Sequence, residues 1–219
     1  MKDIAWWLPL LLCAAAAPIN ATTIVSVMGP ADGQQTVLLA QIIGSSWSQT
    51  ANYVDVNIVA QTGGDCGLSG RGPCGAMYLT NAIGPSATPS NVIASTSLQT
   101  FPSSGLNTIF TGLTLPANTY YLLLFNGSTE TEPYWATSSA PILATDTGVS
   151  PTGSFITTSG GSDYLFPPGS AVTSLNANLE YTVAGTPAAI PEPSSRGLVL
   201  AGLLVLLQLM PFRVFVRAQ

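Results

Sequence analysis

The segment Tyr53-Val54-Asp55-Val56-Asn57-Ile58-Val59 constrains the fold most: Val54, Val56 and Ile58 fall on one face of an extended chain, Asp55 and Asn57 on the other. That alternation specifies a half-buried strand with one wet side. Gln35 to Ile43, Trp47 to Thr50, Ala76 to Thr80, Val92 to Ser95, Thr108 to Phe110, Thr119 to Phe125, Tyr134 to Thr137, Ser154 to Thr158, Tyr164 to Phe166 and Asn178 to Val183 read as further strands. Turn residues punctuate them at Gly63-Gly64, Gly84-Pro85, Pro102-Ser103-Ser104-Gly105, Gly160-Gly161 and Pro167-Pro168-Gly169. Many short strands at fairly regular spacing predict an all-β domain, a single antiparallel β-sandwich of jelly-roll-like form.

Charge and composition remove several function classes. Hydrophobic residues make up 47% of the 219, which argues against disorder. Between Thr22 and Ile190 there is one basic residue, Arg71, against eight acids, so this part of the chain repels nucleic acid and anionic membrane. The chain has no histidine, which excludes Ser-His-Asp and Cys-His catalysis and every His-ligated metal site. Glu130 and Glu132 are a carboxylate pair, about 6 to 7 Å apart if on a strand, but their Gly/Ser/Thr surroundings read as a solvated loop. Gly63-Gly64-Asp65 and Gly160-Gly161-Ser162-Asp163 read as turns before calcium loops. No enzyme activity, metal or cofactor is expected.

Three groups of side chains carry other expectations. Cys66 and Cys74 form an even pair across Gly-Leu-Ser-Gly-Arg-Gly-Pro and are expected to close a small disulfide loop, since half a metal site lacks partners. Trp47, in a strand pattern, is expected in the core. Tyr134 and Trp135 point to opposite faces of a strand, so one of them is a candidate for stacking on a sugar, with Tyr53 a further candidate. Asn126-Gly127-Ser128 matches a glycosylation acceptor and is read as a turn.

Both termini look like addressing segments. Residues 1–21, MKDIAWWLPLLLCAAAAPINA, have one lysine, an apolar stretch and small residues before a cut after Ala21, the anatomy of a secretory signal peptide. Residues 22–186 then form the sandwich domain, and 187–219 a separate tail. In that tail Pro191-Glu192-Pro193 holds Glu192 on a stiff extended leash. An apolar run from Gly197 to Phe212 follows, then Arg213 and Arg217, which favour the cytoplasmic face. As a helix the run rises about 24 Å, short of a roughly 30 Å bilayer core.

This order of parts resembles the PEP-CTERM sorting signal of bacterial exported proteins. The resemblance implies that Pro191, Glu192 and Pro193 are read by a membrane processing enzyme of the exosortase family, with Gly197 to Phe212 as transmembrane helix and Arg213 and Arg217 as cytoplasmic stop. It also implies export, an inner-membrane intermediate, delivery to the cell surface or extracellular matrix, and a setting of exopolysaccharide and biofilm. A plain membrane anchor is the other reading of the tail. Thr111-Gly112-Leu113-Thr114-Leu115-Pro116-Ala117-Asn118-Thr119-Tyr120-Tyr121-Leu122-Leu123-Leu124-Phe125 resembles a strand pair common in domains upstream of such tails. There Asn118 stands where glycine is usual, at a turn expected to have positive φ. The likeness covers about Val37 to Trp135 and bears on fold.

Overall fold

The computed structural model describes residues 20–64, 75–84, 87–97, 105–127, 132–158 and 172–189. In chain order its strands are β1 (Thr22–Met28), β2 (Gly33–Thr36), β3 (Gln41–Gln49), β4 (Tyr53–Gly64), β5 (Gly75–Thr80), β6 (Val92–Ser95) and β7 (Gly105–Leu115). After these come β8 (Asn118–Asn126), β9 (Pro133–Ser138), β10 (Ile142–Thr145), β11 (Val149–Thr158), β12 (Thr173–Leu175), β13 (Asn178–Leu179) and β14 (Tyr181–Pro187). A 3-10 turn, Pro89–Asn91, leads into β6. The strands form two antiparallel sheets, one of eight strands in the order β10-β1-β14-β4-β9-β13 with β2 on β9 and β7 on β4, the other of six in the order β12-β11-β3-β8-β5-β6. The compact unit closes at Pro187.

One apolar core joins the two sheets. Ile24, Val25, Val56, Ile58 and Val183 come to it from the eight-stranded sheet, and Ile43, Met77, Leu79, Leu122 and Leu124 from the six-stranded one. This shared core makes the arrangement that of a β-sandwich. Trp47, as expected, lies at its centre with no exposed surface. Its ring stands 5.5 Å from that of Tyr120 and 6.0 Å from that of Tyr181, so it bridges the sheets. Burying an indole requires a partner for its N–H, and Gln49 supplies one: Trp47 Nε1 donates to Gln49 Oε1 at 3.0 Å. The Gln49 amide in turn donates to the Leu115 carbonyl at 3.0 Å, satisfying backbone where the chain passes from β7 to β8.

That passage corrects one sequence expectation. β7 and β8 are not paired with each other: β7 lies on β4 in one sheet and β8 between β3 and β5 in the other, so Pro116-Ala117 carries the chain across the sandwich. Asn118 does not have the positive φ expected there; among the described residues that conformation falls on Ala31, Ala40, Asp55, Gly84, Gly112, Gly148 and Gly153.

The other differences have local causes. Gln35 to Ile43 is not one strand, because the chain turns at Val37–Ala40, with Ala40 at φ 60°, and moves from the eight-stranded sheet to the six-stranded one. Gly63-Gly64 is no turn but the end of β4, paired with Tyr134 and Pro133. Asn178 to Val183 breaks at Glu180 into β13 and β14. Asn126 ends β8, buried, and its amide donates to the Val37 carbonyl at 2.8 Å. β1, β10 and β12 were not expected, and the expected strand Tyr164 to Phe166 lies outside the described residues.

Candidate functional site

A polar groove of about 550 Å³ opens where the chain leaves β9, lined by Asp32, Gly33, Thr137, Ser138, Ser139 and Asn176 to Asn178. Two alignments build it. β2 lies along one edge of β9 with Gly33 opposite Thr137, and β13 lies on β9 with Asn178 opposite Ser138. A Cβ on Gly33 would stand 2.6 Å from Thr137 Oγ1, so the close approach of β2 depends on glycine. Asp32 is held from β9's end: Ser139 N donates to its Oδ1 at 2.8 Å, and the Ser139 hydroxyl donates to Oδ2. These bonds, the hydroxyl first, hold the Asp32 carboxyl below its usual pKa. Asn178 Nδ2 donates to the Ser138 carbonyl at 3.0 Å.

The groove therefore offers hydroxyls, amides and one ionised carboxylate already engaged with a serine. Such a set can hydrogen-bond a neutral, hydroxyl-rich ligand. A carboxylate held ionised is a poor proton donor, so Asp32 is not poised as a general acid.

Near the groove's Asp32 end sits the least expected group of the chain. Glu180 has no exposed surface. Its Oε1 accepts the Ala31 N–H at 3.1 Å, while Oε2 has no partner among the described residues. The backbone of Glu180 is equally committed: its N–H donates to the Ala136 carbonyl at 3.0 Å, and its carbonyl accepts Gln61 N at 3.0 Å and Trp135 Nε1 at 2.7 Å. Glu180 thus ties the β1–β2 connection, β4 and β9 to the break between β13 and β14. Burying a carboxyl with one hydrogen bond is costly, so the position is tightly specified. From sequence it counted only as one of eight acids. Its signal was an acid inside the apolar stretch Leu179-Glu180-Tyr181.

The aromatic candidates separate. Trp135 has no exposed surface and its ring stands 6.4 Å from Tyr181, so it belongs to the core and offers no face to a sugar. Tyr53 is 1% exposed, its hydroxyl donating to Asp146 Oδ2 at 2.9 Å, and is likewise core. Tyr134 is half-buried on the opposite face of β9. The half-buried rings that sequence reasoning missed are Tyr78 and Tyr121, on the outer face of the six-stranded sheet, where Tyr121 meets Phe155 edge-on at 6.0 Å. The missed signal was apolar residues at odd and even positions alike along Tyr120 to Phe125.

Of the remaining candidates, Glu132 is exposed outside any strand. Glu130, Asp65, Asp163, Cys66, Cys74, Pro191, Glu192, Pro193, Arg213 and Arg217 lie outside the described residues. Among the described residues no three acidic, cysteine or histidine groups gather as a metal site, and no helix is long and apolar enough to cross a membrane.

Fold and groove together define an all-β, two-sheet antiparallel domain with a polar groove at one sheet. No family model matches the chain, and the search of curated proteins gives no match.

Proposed function

We propose that this is a non-enzymatic exported protein, carried by its N-terminal segment out of the cytoplasm and sorted to the cell surface or extracellular matrix through a PEP-CTERM tail. The observation that carries the reading is the order of parts after the compact unit ends at Pro187: Pro191-Glu192-Pro193, the uncharged run Gly197 to Phe212, then Arg213 and Arg217. In the sequence the motif follows the end of β14 within a few residues. On this reading an exosortase-type enzyme takes Glu192 as its landmark, the apolar run holds the intermediate in the inner membrane, and the delivered domain joins an exopolysaccharide matrix. The fold in this account is a jelly-roll-like sandwich, which the crossings of β3, β4 and β5 between sheets support.

A second reading is a carbohydrate-binding module. What favours it is the groove of serine, threonine and asparagine groups beside Asp32, which suits a neutral polysaccharide by hydrogen bonding in place of ring stacking.

The test is intact mass of the protein from the surface fraction, beside a Glu192→Ala form in the same cells. Sorting predicts a wild type shortened beyond the Pro-Glu-Pro region and a full-length, membrane-retained variant. Retention of Gly197 to Gln219 in both would sink the proposal and leave a plain anchor.

A further inference from the structure

Among the described strands β10 stands at one end of the eight-stranded sheet and pairs only with β1. Most sheet edges in natural proteins are blunted by charge, bulges, short length or cover. The other described edges of this chain follow that rule. β7 has three register shifts against β4 and β6 has one against β5, β12 and β13 have three and two residues, and β2 is the polar Gly-Gln-Gln-Thr. β10 differs. It pairs with β1 without a shift, from Val25 opposite Thr145 to Met28 opposite Ile142, and Ile142 and Leu143 are 74% and 55% exposed.

The faces of this strand are fixed by its partner. Residues directly opposite share a face, so Leu143, opposite buried Val27, stands on the core side and Ile142 on the outer side. Leu143 borders a groove of about 200 Å³ shared with Val27 and Pro141 and, from the other sheet, Pro151 and Gly153. The open strand edge and the apolar end of the sandwich coincide.

We propose that β10 pairs antiparallel with β10 of a second copy, about a two-fold axis normal to the sheet, joining two eight-stranded sheets into one. Charge selects this occupant. The domain carries eight acids and one arginine, so copies repel over most of their surface, yet no charged residue occurs from Pro133 to Thr145 or from Thr22 to Met28. Asp146, the next acid, is engaged by the Tyr53 hydroxyl and by Thr147 N. The axis also fixes register. It keeps both core faces on one side, so either Leu143 meets Leu143 or Ala144 meets Ala144 of the second copy. The first sets Ile142 against Ala144; the second sets Ile142 against Asp146 and is disfavoured. The pair is isologous, and one edge matched to itself satisfies the free backbone groups of both strands.

The full-length protein, extracted in a mild non-ionic detergent, supplies the test. Leu143→Cys should give a disulfide-linked dimer on oxidation well above the wild-type background, because directly opposite Cβ atoms lie about 5 Å apart. Ile142→Cys should not, its copy being displaced along the strand beyond a bridge's reach of about 7 Å between Cα atoms. Leu143→Lys, exposed enough to leave folding intact by circular dichroism, should convert the light-scattering mass from two chains to one. A wild type of one-chain mass at its highest soluble concentration overturns the proposal. So does a dimer that Leu143→Lys leaves whole, and a cross-link strongest at Ala144→Cys overturns the register.

Discussion

The two sheets solve the same problem differently. In the six-stranded sheet β3 and β8 run in register over eight residue pairs, from Ile42 opposite Phe125 to Gln49 opposite Asn118, without a shift. Its outer face is also apolar: Ile42, Ala76, Leu123, Phe125 and Phe155 form a second buried cluster, separate from the core, with Tyr78, Ile83 and Tyr121 packed on it. The eight-stranded sheet has one apolar face and carries more bulges, at Thr23/Val25, at Ala184/Thr186 and three times between β4 and β7. The six-stranded sheet has shifts of its own, at Pro151/Gly153 beside β3 and at Leu79/Thr80 beside β6, but its central β3–β8 ladder, apolar on both faces, is unbroken, whereas alternation along β4 leaves room for bulges that re-aim single residues.

The strongest way to break this contrast is to truncate neighbours on β8 that face opposite ways. Leu122 is 0% exposed in the core and Leu123 is 2% exposed on the outer face. Leu122→Ala and Leu123→Ala should each cost about 2 to 5 kcal/mol in urea unfolding if both faces are true interiors. A Leu123→Ala cost under about 1 kcal/mol would show that the outer cluster is no second core. Next in size is Gly44→Ala. A Cβ there would lie 2.5 Å from Phe155 Cζ, 2.8 Å from Leu123 Cδ2 and 2.8 Å from the Leu122 carbonyl oxygen, and the carbonyl belongs to the β8 ladder. Overpacking of this kind should lower stability by about 1 to 3 kcal/mol, with the loss seen as a lower denaturation midpoint at unchanged slope.

How far the sequence revealed this depends on the strand. The regular strands β5, β6, β8 and β9 were legible to within about a residue at each end, because propensity and pattern agree there. Strands interrupted by turns or bulges were read less well in both sheets: β3 was expected in two pieces, and of β11 only Ser154 to Thr158 was expected. In β4, Asp55 adopts φ 51° at a bulge, so Tyr53 joins Val56 and Ile58 inside while Val54 turns partly outward. Simple alternation had put Val54 with Val56, and nothing local announces the extra residue. The groove was illegible because Asp32, Ser139 and Asn178 are far apart in sequence and meet only through strand pairing. Glu180, by contrast, could have been suspected from its apolar neighbours.

A smaller effect separates the tyrosines by environment. Burial first, then the hydrogen bond and charge of Asp146, push the Tyr53 phenol up to about 12. Burial pushes Tyr120 and Tyr181 up to about 12 as well. An unfolded phenol titrates near about 10, so the folded state binds the proton more tightly. This contribution to stability is complete below about pH 10 and is lost as pH rises through about 12. Denaturation midpoints should therefore hold steady to about pH 9.5 and fall beyond it. Tyr53→Phe removes the bond to Asp146, costs about 0.5 to 1.5 kcal/mol at neutral pH, and should make the alkaline fall shallower. An unchanged alkaline slope would mean that Tyr53 ionises freely in the fold.

The smallest effect is the sharpest test, since it predicts opposite signs in the two sheets. Glycine in a strand costs about 0.5 to 1 kcal/mol relative to alanine through lost chain entropy, and Ser48, in the unshifted β3–β8 ladder, should follow that rule on substitution to glycine. At Asp55 the folded backbone already occupies the left-handed region, where a Cβ is strained by about 1 to 2 kcal/mol, though less for aspartate than for other residues. Relief of that strain offsets the entropy, so Asp55→Gly should be neutral or stabilising by under about 1 kcal/mol, and Asp55→Val clearly destabilising. Paired thermal melts decide it. If Asp55→Gly costs as much as Ser48→Gly, then Asp55 is an ordinary strand residue. Val54 would return to the face of Val56 and Ile58, and the difference between bulged β4 and the unshifted β3–β8 ladder would collapse.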